Sequence, residues 1–97
     1  MKQLFAVIRS RGPAWRASRP LEAQEGWDAH AAFMNALQRE GFVVLGGPLE
    51  ETSDVLLVIR AETPDEILER LSADPWTEDL LRVTRVAPWT LRLGVLP

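Results

Sequence analysis

The chain has 97 residues, 46% apolar and 26% charged, the balance of one globular domain over residues 1–97 with a core but little surplus stability on its own. It holds one histidine and no cysteine, so disulfides, thiol nucleophiles and soft metal sites are excluded, and neither a metal nor a cofactor is expected. A net charge of −3 argues against a nucleic-acid partner, and the apolar runs Leu4–Ile8 and Val55–Ile59 fall far short of the ~20 residues of a membrane span. No secretory leader is visible, so a cytoplasmic location without membrane contact is expected.

Lys2–Arg9 reads as a strand in which Leu4, Ala6 and Ile8 share one face and Phe5 and Val7 the other. Ser10–Ala23, with Gly12, Pro13 and Pro20, reads as a long loop. All 14 acidic residues lie beyond position 20, whereas Lys2, Arg9, Arg11, Arg16 and Arg19 precede it. A basic loop on an acidic body predicts an anion gate. Gln24–Glu40 carries Trp27, His30, Ala31, Phe33, Met34 and Leu37 at helical spacing, and Gly41 stops it.

Phe42–Leu45 is a short strand running into the Gly46-Gly47-Pro48 punctuation, and Asp54–Ala61 is a strand apolar on both faces. Thr63-Pro64-Asp65-Glu66 announces a second helix through a threonine N-cap, a proline in the first turn and a capping-box glutamate; its apolar face is Ile67, Leu68 and Leu71. Leu81–Leu93 is the last strand, ending in the alternation of Trp89, Leu91 and Leu93. The order β-α-β-β-α-β predicts an α+β, ferredoxin-like fold with an antiparallel sheet and both helices on one face. The other face is apolar and uncovered, which predicts a homodimer built through it.

His30, on the apolar stripe of the first helix, reads from periodicity as a core-edge histidine bonded to a backbone carbonyl. Asp74-Pro75-Trp76 supplies a carboxylate that would orient an imidazole, leaving the free ring nitrogen to move a proton. The two lie on different elements, so spacing does not join them, and Asp74 reads equally well as an N-cap ahead of Pro75. Trp27 and Trp89 read as core or interface aromatics. Trp15, on the loop, is the candidate wall for a planar ligand. Arg9, Arg11, Arg16 and Arg19 read as solvated loop charges; Arg11 and Arg16 are the binding candidates, since an inward guanidinium would hold a carboxylate or phenolate. Gly46-Gly47 lacks the strand-turn-helix setting of a dinucleotide site.

Taken together, Trp27-Asp28-Ala29-His30, Gly41, Gly46-Gly47-Pro48-Leu49, Ala73-Asp74-Pro75-Trp76 and Val83–Trp89 resemble the YCII-like (YciI-related) family of the dimeric α/β-barrel superfamily, from Met1 to about Leu93. The resemblance implies a homodimer and a pocket in which His30 and Asp74 form a catalytic dyad, with Gly47 and Pro48 in the wall. Trp76, where many relatives have phenylalanine, would set pocket volume. Implied too is a lyase- or isomerase-type acid–base enzyme, abstracting a proton or driving elimination on a small cyclic or aromatic ligand; the basic loop adds the expectation that the ligand is anionic. Two alternatives stay open: a non-catalytic metabolite-binding or accessory module, and a cofactor-free monooxygenase-like relative.

Overall fold

A computed structural model describes residues 1–96. The elements are β1 (Gln3–Arg11), α1 (Trp27–Arg39), β2 (Val43–Pro48), β3 (Asp54–Ala61), α2 (Pro64–Leu71) and β4 (Leu81–Pro88), with a single 3-10 turn at Leu21–Ala23 between β1 and α1. Four strands form one antiparallel sheet in the order β2-β3-β1-β4, the ferredoxin-like arrangement the sequence predicts. Among the described residues no helix is long and apolar enough to cross a membrane.

Alternation along the central strands separates two faces. Phe5 and Val7 pair in register with Ile59 and Leu57, and all four pack with Leu37, Ile67 and Leu71 from the two helices. Fully burying a side chain of this kind stabilises the fold by about 1.5–3 kcal/mol. α2 is placed by its cap, since Thr63 Oγ1 accepts the Glu66 N–H at 3.1 Å while Glu66 Oε1 accepts the Glu62 N–H at 2.8 Å. Ile67 and Leu71 are buried, but Leu68, expected on the same face, is 47% exposed. On the opposite sheet face Leu4, Ala6, Ile8 and Leu56 are only half-buried, and Leu45 is 45% exposed.

Three local expectations are corrected. Gly46-Gly47-Pro48 does not follow β2 but lies within it, opposite Leu57, Leu56 and Val55. β2 is an edge strand, where proline is tolerated, and a Cβ on Gly46 would come 2.6 Å from Leu57 Cδ2, so the glycine permits close pairing. β4 ends at Pro88 rather than Leu93; only the Trp89 N–H, donating to Leu4 O at 2.9 Å, continues the ladder, because β1 begins at Gln3 and the following residues run past it. Finally, no helix follows Asp74-Pro75: the segment is a turn leading to β4.

Candidate functional site

The alternation that turns Phe5 and Val7 inward also turns Arg9 inward, where it is 1% exposed. Its expected place among solvated loop charges is therefore overturned: β1 extends to Arg11, so Arg9 belongs to the strand's helix-facing row. The guanidinium is held by the turn after α2 and by the start of β4. Nη1 donates to Asp74 Oδ2 at 2.7 Å, and Nη2 donates to Leu81 O at 3.1 Å and Thr77 Oγ1 at 3.5 Å. Nε is buried without a partner among the described residues.

Asp74 sits in the turn after α2. Its own N–H donates to Leu71 O and its carbonyl accepts from Thr77 N–H, both at 3.0 Å, which fixes the backbone and aims the side chain inward. Oδ1 accepts the Trp76 N–H at 3.0 Å, the local Asx turn that makes aspartate favourable here. Both carboxylate oxygens lie 2.9 Å from His30 Nδ1. Burial acts to raise the Asp74 pKa, but the His30 hydrogen bond, the Trp76 N–H and the Arg9 guanidinium prevail and hold it below its ordinary value of 3.8. The carboxylate thus caps its turn and meets the imidazole at once, which the readings taken separately do not anticipate.

His30 is oriented from a second direction by Trp76, whose ring stacks on the imidazole at 3.9 Å and 8°. Trp76 is 1% exposed and its Nε1 donates to Glu25 O at 2.6 Å, which ties the turn to the start of α1. Trp27 leans on both rings, at 6.0 Å from His30 and 5.8 Å from Trp76, and Trp15 meets Trp76 edge-on at 5.8 Å. With Nδ1 donating to the carboxylate, the neutral tautomer leaves Nε2 as a lone pair, and Nε2 has no hydrogen-bond partner among the described residues.

His30 borders a cavity of about 590 Å³ between α1, the 12–21 loop, β2 and the β2–β3 connection, within the range of small-molecule sites. Trp15, Arg11, Gly47 and Pro48 line it, as does Arg9; Asp74, Trp76 and Arg16 do not. Arg11 stacks its guanidinium 4.6 Å above the Trp15 ring, so a cation and an aromatic face lie side by side in the wall. Asp74 and Trp76 stand behind His30 as its supports.

The exposed loop is less free than its composition suggests. Gln24, 3% exposed, receives the Arg16 N–H at Oε1 at 2.9 Å and donates through Nε2 to Arg16 O at 2.8 Å and Arg19 O at 3.0 Å. Gly12 donates its N–H to Leu80 O at 2.8 Å, and a Cβ there would collide with the Asp79 carbonyl. Among residues that sequence reasoning missed, Arg9 carried a signal in the strand's own alternation; Gln24, a polar residue in a polar stretch, carried none.

The family model of the YCII-related domain matches residues 4–90, a span that includes Arg9, His30, Asp74 and Trp76. The chain belongs to the YCII-related family. This family is of the dimeric α/β-barrel type, which agrees with the observed βαββαβ order. No curated protein matches the chain. Among the described residues of this YCII-related domain, no three His, Cys, Asp or Glu side chains cluster to hold a metal ion. What the cluster offers is proton transfer: a histidine oriented through one nitrogen by a buried carboxylate, on a residue that lines a cavity.

Proposed function

We propose that this YCII-related protein is a small-molecule acid–base enzyme in which His30 moves a proton through Nε2 while Asp74 fixes the ring and its tautomer. The observation that carries the reading is the 2.9 Å contact of His30 Nδ1 with Asp74 beside a cavity that His30 lines. Arg9 already balances the carboxylate charge, so Asp74 orients the imidazole as a hydrogen-bond acceptor while its charge is matched elsewhere. The substrate class is a small, flat carboxylate or phenolate: Trp15 and Trp27 supply aromatic wall and Arg11 a cation at the same wall. A base at Nε2 takes a proton from an activated C–H; the electron pair left behind either expels a leaving group or is reprotonated at another carbon. The active unit is a homodimer joined through the open sheet face.

A panel of cyclic and aromatic carboxylates in deuterated water, followed by proton NMR, tests the chemistry. Expected is deuterium exchange or elimination on at least one compound. His30→Gln should abolish it, and Asp74→Asn should slow it by about 10²-fold or more while the circular dichroism spectrum is retained. Compounds that bind, shown by shifted protein resonances, yet undergo neither exchange nor turnover would make the domain a metabolite-binding module instead.

A further inference from the structure

The connection between β2 and β3 is pinned from several sides. Thr52 donates to Leu49 O through its N–H at 3.2 Å and through Oγ1 at 2.8 Å. Asp54 N–H donates to Thr52 Oγ1 at 3.0 Å, and Ser53 O accepts the Arg11 N–H at 3.0 Å. Glu50 and Glu51 are therefore the central residues of a closed turn, and Glu51 stands there at φ 65°. A left-handed residue at the third position of a turn is ordinarily glycine or asparagine, so glutamate here works against the turn's own preference. Both glutamates line the cavity that His30 borders, and Arg11 and Arg19 line it from the loop after β1. Among the described residues neither glutamate forms an ion pair with any cation, so carboxylates and guanidinium groups border one space without neutralising each other. His30, only 8% exposed, lines the same space with Nε2 unpartnered.

We propose that Glu51, with Glu50 beside it, receives a protonated amine of the ligand while Arg11 holds its carboxylate, which makes the ligand a small aromatic zwitterion. The three N–H donors of an ammonium suit two neighbouring carboxylates, and a planar guanidinium stacked on Trp15 keeps its donor edge for an anion. The inference rests on the flat-anion pocket proposed above and adds a second charge to its ligand.

Titration calorimetry with para-(aminomethyl)benzoate, para-toluate and benzylamine tests it. The zwitterion should bind the wild type about fivefold or more tightly than either single-charge probe, the size of one partly exposed ion pair. Glu50→Gln/Glu51→Gln should erase the preference over para-toluate without weakening para-toluate itself. Glu51→Gly removes one charge and suits φ 65°, so it should reduce the preference and yet unfold at a higher temperature by circular dichroism. Equal binding of the zwitterion and para-toluate to the wild type, a preference that survives the double variant, or no binding of any probe overturns the proposal. A lower unfolding temperature for Glu51→Gly also counts against it, since Glu51 would then serve the turn. Because the readout is binding, absence of proton exchange at His30 leaves a positive result standing, whereas exchange on a carboxylate without any amine preference overturns the zwitterion alone.

Discussion

The two faces of β1 are built from neighbouring residues and end in opposite conditions. Phe5, Val7 and Arg9 face the helices at 0%, 0% and 1% exposure; Leu4, Ala6 and Ile8 face away and are only partly buried. The inward row admits a full charge, while the outward row, apolar as far as Ile8, is only partly covered. Burial here follows topology rather than residue polarity. A guanidinium is accepted because a carboxylate, a carbonyl and a hydroxyl wait for it at fixed positions. The side chains on the other side are only partly covered, except Val58 opposite Ala6, which is 5% exposed.

The sharpest way to break the contrast lies on β3, where adjacent leucines point to opposite faces. Leu57→Lys would place an unpaired ammonium among Val7, Ile59 and Leu37, and we expect a chain unfolded at room temperature by circular dichroism. Leu56→Lys should leave a folded protein that dissociates to 10.9 kDa by light scattering. Equal effects of the two would erase the distinction between core and interface.

A smaller effect is expected at the charge. Arg9→Ala leaves the Asp74 carboxylate buried beside His30 and the Trp76 N–H alone, a loss of about 3–5 kcal/mol in urea unfolding. The double replacement Arg9→Met/Asp74→Leu should recover most of it, since removing both partners leaves no orphaned charge. A single-variant loss under about 1 kcal/mol would mean that solvent reaches the pair and the inward row is less dry than its exposure states.

The smallest effect is the pH dependence of the same pair. Because the folded-state pKa of Asp74 lies below its ordinary value of 3.8, the unfolded chain takes up the proton first. The stabilisation is fully present above that ordinary value and is lost as pH falls through the lower, folded-state value. Urea midpoints measured from about pH 6 down to about pH 2.5 should drop further for the wild type than for Asp74→Asn, whose position 74 no longer titrates.

Periodicity and punctuation made the element order legible, along with the capped start of α2 and the two-sided apolarity of β3. The same signals misplaced Gly46-Gly47-Pro48 and the end of β4, for related reasons. Glycine and proline mark a turn only when the chain must reverse there, and an edge strand can carry them. Alternation tells which side of a strand is apolar, but the ladder beside it depends on where a distant strand begins. His30 and Asp74 are each visible as candidates in the sequence, but only the family resemblance joins them, because no local pattern links a helix to a turn so far along the chain. Arg9 was open to discovery without any relative: counting by twos from Phe5 reaches it, but its charge and its nearness to a basic loop drew the reading outward.

The separation in sequence of the buried cluster has a kinetic consequence. Arg9 reaches across 65 positions to Asp74 and 72 to Leu81, and His30 across 44 to Asp74. None of these bonds can form inside one hairpin or one βα unit, so closing them requires β1, α1 and the turn before β4 to be in place together. A nascent or partly unfolded chain therefore has no functional remnant. The hydrogen bonds around His30 should report cooperative global opening in exchange measurements, whereas the amides of residues 90–96 should exchange at the rate of a frayed end.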